Sequence, residues 1–237
     1  MPDKYWGVDT SYDSVTLPEA QNLFAKGVRV AFQCLWTGGE APAVRESNIR
    51  AYAQAGIIPC GYLSVSPSRT GKAHVEAGYD SLSGDIRGGL LRHVALDVEL
   101  EGLSYTQHVV QGVEALQERG YAPLVYTSYN AWVNLLGDPV PPAGWNLWNA
   151  YWDNDADYDF ARLPYGGGSF ILIGEQYTGG EDVDGIFADR NLFEAVFFDP
   201  VTPPLPPPPV PSPTSAIDHI ELVLVNGDRR IFREVPQ

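Results

Sequence analysis

Basic residues are scarce in this chain of 237 residues: 15 Lys and Arg stand against 30 Asp and Glu, for a formal net charge of −15. Nucleic acids and anionic membrane surfaces select basic patches, so neither is expected as a partner. Cysteine is nearly absent, with only Cys34 and Cys60 and no Cys-x-x-Cys pair. That argues against a disulfide-stapled fold and a thiolate metal site. The two thiols either bridge, if their strands are neighbours, or stay free and buried. His74, His93, His108 and His219 show no metal-ligand spacing, so no metal is expected. No apolar run approaches the ~20 residues of a membrane helix, so no membrane insertion is expected. The start, Met1-Pro2-Asp3-Lys4-Tyr5-Trp6, has no basic n-region and no apolar h-region, so no signal peptide is expected.

What is present is globular. Hydrophobic residues make up 44% and aromatics 12%, enough for a sizeable core. Strand-like runs at Tyr5 to Ser11, Val28 to Trp36, Ile57 to Val65, Leu91 to Leu100 and Leu124 to Thr127 alternate with helical patterns. These helices fall at Leu17 to Lys26, Val44 to Gln54, Ala73 to Leu82, Thr106 to Arg119 and Ala131 to Leu136. Thr16 with Glu19 forms a capping-box pattern, and Gly27, Gly56 and Gly120 mark helix ends. Three further strands, Asn146 to Trp152, Phe170 to Tyr177 and Gly185 to Phe187, follow without proper helices between them. Five βα units plus three strands predict an α/β fold, a TIM-like barrel with its chemistry at the C-terminal strand ends.

From Asp199 the composition breaks. Residues 1–198 read as the barrel and 199–215 as a proline-rich, semi-rigid linker. Residues 216–237 read as a β-hairpin turning at Asn226-Gly227. A lone hairpin is marginal in water. It is therefore expected to dock on the barrel, to self-associate with another copy, or to attach the chain to a wall or virion.

The segment Leu96-Asp97-Val98-Glu99-Leu100 places two carboxylates one residue apart in an apolar run. On a strand they share a face, where like charge raises the pKa of at least one, as acid–base chemistry requires. Alternatively, the strand stops at Asp97 and Glu99 dissolves into solvent. Gly7-Val8-Asp9-Thr10-Ser11 ends the first strand, and Val183-Asp184-Gly185-Ile186-Phe187-Ala188-Asp189-Arg190-Asn191 closes the barrel region. Asp9 and Asp189 read either as turn caps or as members of an acid cluster at one rim. Tyr126, Trp148, Tyr151 and Trp152 offer aromatic faces for sugar rings or serve as core. Gln176 could satisfy buried backbone or bind a sugar hydroxyl.

In sequence order, Gly7-Val8-Asp9-Thr10-Ser11, Leu96-Asp97-Val98-Glu99, Tyr126-Thr127, Leu147-Trp148-Asn149-Ala150-Tyr151, Glu175-Gln176-Tyr177 and Ala188-Asp189-Arg190-Asn191 resemble glycoside hydrolase family 25, the muramidases often found as phage endolysins. The resemblance spans residues 5–195. It implies the same barrel, with Glu99 as general acid and Asp97 as the partner orienting the sugar or its acetamido group. Asp9 and Asp189 match the remaining acids, and the substrate implied is the β-1,4 bond between N-acetylmuramic acid and N-acetylglucosamine, whose hydrolysis is expected to need no organic cofactor. Departures fall on the groove: Glu175 stands where Trp is usual, Cys60-Gly61-Tyr62-Leu63-Ser64 where a Tyr-His-Phe pattern is common, and Gln33-Cys34-Leu35-Trp36-Thr37 where a Lys-Ala-Thr-like run is usual. Tyr62 and Gln33 are accordingly groove candidates alongside Tyr126, Trp148, Tyr151 and Gln176. The implied partner is bacterial cell-wall glycan, reached by endolysin-like release from a host cytoplasm or from a virion. The rival expectation is a catalytically inactive glycan-binding or structural module of a bacteriophage particle or cell surface.

Overall fold

Runs of β-branched and aromatic residues, punctuated by glycines, build the first two hundred residues. The computed structural model describes residues 3–156, 165–183, 185–198, 220–225 and 229–234. Its strands and helices follow as β1 (Lys4–Thr10), α1 (Leu17–Ala25), β2 (Val28–Trp36), α2 (Arg45–Ala55), β3 (Ile58–Ser64), α3 (Gly71–Gly78) and β4 (Val94–Asp97). They continue as α4 (Gln111–Gln117), β5 (Leu124–Ser128), β6 (Asn146–Ala150), β7 (Ile171–Val183), β8 (Ile186–Glu194) and α5 (Ala195–Phe198). The eight strands close into a barrel in chain order.

Strands β1 to β7 are parallel, and β8 runs antiparallel to both β7 and β1. The reversal has a local cause. The connection from Val183 to Ile186 is too short for a crossover, so the two strands can pair only as a hairpin. Both are longer than the sequence pattern predicts. Beyond Thr178 the hairpin carries Gly179, Gly180, Glu181 and Asp182, mostly exposed, so no hydrophobic alternation marks it as strand.

Helix α1 begins as expected, with Thr16 and Glu19 capping each other reciprocally. The predicted helix at Thr106 to Arg119 instead opens as a π-helical turn, Tyr105–Val110, before α4. The short one near Ala131 is a π-helical turn throughout, Asn130–Leu135.

The barrel interior is aromatic. Phe32 packs 4.5 Å from Trp148 and 5.4 Å from Phe193, centroid to centroid, and Phe198 closes the floor edge-on to Phe32 at 6.3 Å. Phe193 fits only because two neighbours lack side chains. A Cβ on Gly174 would stand 2.2 Å from its ring and one on Gly7 2.5 Å. A second apolar layer, including Leu35, Ile49, Leu63, Val75, Val113 and Leu116, fills the space between strands and helices. Cys34 and Cys60 are both buried and free.

Residues 200–237 form a separate unit, in which β9 (Ile220–Val225) pairs antiparallel with β10 (Arg229–Glu234). The proline-rich stretch and the Asn226-Gly227 turn lie outside the described residues. Among the described residues, no helix is long and apolar enough to cross a membrane.

Candidate active site

Strand β4 stops at Asp97, three residues short of the predicted Leu100. Its alternation nevertheless persists for one more step. The Val98 N–H donates to the Tyr126 carbonyl at 2.9 Å, and the Val98 side chain is buried in the helix-side core. Glu99 therefore returns to the same side as Asp97, and their carboxyls share a hydrogen bond at the rim. Both alternatives read from the sequence hold in part: the strand ends early and Glu99 stands exposed, yet its carboxyl turns to Asp97 at the mouth.

Barrel closure supplies the other two acids. In the antiparallel β1–β8 register Asp9 lies opposite Asp189. The Gln176 side-chain amide on β7 bridges them, donating to Asp9 at 2.9 Å and to Asp189 at 3.1 Å. Asn191 donates to Asp9 at 2.8 Å. The Gly180 backbone N–H, from the extended part of β7, donates to Asp189. The Gln176 carbonyl in turn accepts from the Tyr126 hydroxyl at 2.7 Å and the Trp152 indole at 2.6 Å. Two aromatic donors thus fix the amide so that its N–H groups face the acids.

These groups converge on a cavity of about 200 Å³ lined by Asp9, Tyr62, Asp97, Glu99, Tyr126, Trp148, Trp152, Gln176 and Asp189. An adjoining groove of about 220 Å³ shares Glu99 and Trp152 and adds Ser128, Tyr129, Asn130, Ala150 and Tyr151. Trp152 is 63% exposed and stands between the two as an open aromatic face. Trp148 is buried and forms the cavity floor, its indole donating to Asn191 at 2.8 Å.

Among the described residues no cation lines this cavity, and that governs its electrostatics. Burial and the neighbouring Asp189 raise the Asp9 pKa, against the lowering hydrogen bonds from Asn191 and Gln176. Burial also raises Asp97, which accepts hydrogen bonds from Ser64 and Glu99. Asp189 is raised by burial too. Glu99 is pushed up to about 8 by partial desolvation at the rim and then by the charges of Asp97, Asp9 and Asp189. Solvent still reaches Glu99 through the mouth, which moderates the effect without changing its direction. Both carboxyls are raised, Glu99 further than Asp97, so the proton that the pair shares falls on Glu99, the outer group. Among the described residues no group of three or more His, Cys, Asp or Glu is arranged to hold a metal ion.

Ten of the eleven residues singled out from sequence reach this mouth or its adjoining groove, with Tyr151 in the groove. Gln33 does not. It is fully buried behind β1, where it accepts from Thr10 at 2.9 Å and Asn48 at 2.7 Å and donates to the Ser11 carbonyl at 2.8 Å. Its amide is consumed in joining β1, β2 and α2. Two polar residues escaped the sequence reading, Asn191 and Ser64. Each lies two positions from a residue already chosen, Asp189 and Tyr62, so the period of the strand could have found them.

An eight-stranded barrel with paired carboxyls at its C-terminal mouth defines the barrel class to which many glycoside hydrolases belong. More narrowly, the chain has the fold of glycoside hydrolase family 25. It superposes on a muramidase from Trichobolus zukalii with a TM-score of 0.66 at 21% identity, covering 80% of this chain and 93% of that one. A bacterial lysozyme from Streptomyces coelicolor gives 0.65 at 22% identity, covering 80% and 91%. A family GH25 lysozyme from Aspergillus fumigatus gives 0.64 at 15% identity, covering 80% and 93%. No protein-family model and no curated protein matches the sequence itself.

Proposed function

We propose that the chain is a peptidoglycan hydrolase of the muramidase type, cleaving the β-1,4 bond between N-acetylmuramic acid and N-acetylglucosamine. The observation that carries this reading is the Glu99–Asp97 pair: a carboxyl kept protonated near neutral pH, hydrogen-bonded to a carboxylate, at the mouth of an acid-lined cavity with aromatic walls. Glu99 delivers its proton to the glycosidic oxygen as the bond to the anomeric carbon breaks, and water supplies the hydroxyl that this carbon gains, its other proton returning to the carboxylates of the site. The Asp97 carboxylate orients the acetamido group and balances positive charge developing on the sugar. Asp9 and Asp189, held by Gln176 and Asn191, shape the field at the reacting ring. Tyr62, Tyr126 and Trp152 wall the sugar, and the groove past Tyr151 extends the path for a polymer. The muramidase and lysozyme names of the structural neighbours support the same assignment.

The test is clearance of purified bacterial walls. Glu99→Gln keeps the shape and the hydrogen bond to Asp97 but cannot give up a proton in the same way, so clearance should fall at least a hundredfold. Clearance at the wild-type rate would remove Glu99 from the reaction. Wall binding without any hydrolysis by the wild-type chain would instead favour a glycan-binding module. Within the same proposal, residues 216–237 attach the chain to wall or virion, and the enzyme reaches its substrate by endolysin-like release or as part of a phage particle. A chain lacking residues 214–237 should be retained less on walls. Unchanged retention, stability and oligomeric state would dismiss the attachment role.

A further inference from the structure

Proton sharing between two carboxyls is useful only if the proton sits on the right one. The carboxyls of Asp97 and Glu99 share a hydrogen bond, and Asp97 is the more deeply buried. Burial alone would place the proton on the more buried group, which is the wrong one for a donor at the mouth. Something must hold Asp97 ionised. The groups facing Asp97 from the surrounding elements are Asp9 on β1, Cys34 on β2, Tyr62 on β3, Glu99 beyond β4, Tyr126 on β5 and Asp189 on β8. None is a cation. The thiol and both phenols are themselves pushed upward by burial and stay neutral. Among the described residues, the one hydroxyl outside the pair that donates to Asp97 is that of Ser64, its cross-strand partner on β3, whose Oγ meets Asp97 Oδ2 at 2.5 Å.

We propose that Ser64 is the positioning residue that selects the ionised form of Asp97, so that the proton shared by the pair resides on Glu99. The inference rests on the hydrolase reading for its purpose, though not for its measurement. A hydroxyl can donate to a carboxylate, whereas a protonated carboxyl offers it a poorer acceptor, so the bond favours charge on Asp97. The bond is present both when Asp97 alone is ionised and when both groups are. Its removal therefore raises the lower apparent pKa of the pair and leaves the upper one nearly unmoved.

The test uses carbon-detected NMR titration of aspartate carboxyls in the full chain. Ser64→Val and Ser64→Thr are compared because they are isosteric and differ only in the hydroxyl. Ser64→Val should raise the Asp97 titration by about one pH unit, while Ser64→Thr should titrate like wild type. In wall digestion, the acid limb of the kcat/KM profile should move up by the same amount in Ser64→Val and the alkaline limb should stay in place. A merely structural role would lower activity at every pH without moving a limb. An Asp97 titration that is the same in both variants would overturn the proposal, even if walls are digested. Failure of the wild-type chain to digest walls would sink the hydrolase reading while leaving the Ser64 titration result to stand or fall by itself.

Discussion

Replacing Glu99 by Gln should make the protein more stable at neutral pH, and the size of the gain follows from the site. In the folded chain the Glu99 carboxyl is held up to about 8, against an ordinary value of 4.5. Between those pH values the folded protein keeps a proton that the unfolded chain releases. Stability therefore falls as pH rises through that window, and the loss is complete above the folded pKa. Gln does not titrate and preserves a donor toward Asp97, so it removes the penalty. Because solvent reaches Glu99 through the mouth, converting the whole shift would overstate it. About 1–2 kcal/mol at pH 8 is expected, which raises Tm by roughly 2–8 °C in a domain of this size. Calorimetric melts at pH 4 and pH 8 check it. The difference between variant and wild type should be large at pH 8 and vanish near pH 4, where Glu99 is protonated in both folded and unfolded chains. A Gln variant that melts below wild type at pH 8, or differs equally at both pH values, would refute the electrostatic account.

Other consequences follow from the same geometry. Wall digestion should decline above a pH of about 8 as Glu99 loses its proton, because a general acid works only when protonated; an optimum well above that value would contradict the assignment. Gln176→Leu removes the amide that bridges Asp9 and Asp189, and kcat/KM should fall by about 10- to 100-fold in proportion to a lost charge-assisted hydrogen bond. Trp152→Ala removes the exposed aromatic face and the donor to Gln176, so KM for soluble wall oligomers should rise several-fold, measured by steady-state kinetics. Gly174→Ala drives a methyl to 2.2 Å from the Phe193 ring, and overpacking of this kind should cost about 1–3 kcal/mol, read as a lowered Tm.

The parts of the molecule legible in the sequence are those whose signal is periodic and local. The barrel was readable because strands such as Val28–Trp36 are mostly apolar and because helix α1 carries its own capping residues. The acids were readable because Asp97 and Glu99 interrupt an apolar run at a spacing of two. What escaped depends on contacts between distant segments. On β7 the stretch Gly179-Gly180-Glu181-Asp182 is mostly exposed and carries no hydrophobic alternation, and it becomes strand only by pairing with β8. Gln33 was a groove candidate because its run departs from the family pattern, but its fate is set by Thr10 and Ser11 at the end of β1 and by Asn48 on α2. Ser64 acquires meaning only through the β3–β4 register that sets it opposite Asp97. Trp152, grouped from sequence with three other aromatics, separates from Trp148 only once one is seen open at the mouth and the other buried beneath it.

The central claim is that the Asp97–Glu99 pair cuts one defined bond of the cell-wall glycan. Mass spectrometry of the fragments released from purified peptidoglycan tests it most directly, because the sugar at the new reducing end identifies the bond broken. The account predicts N-acetylmuramic acid at that end with the wild-type chain and no release with Glu99→Gln. Reducing-end N-acetylglucosamine, or equal release by the two proteins, would contradict it.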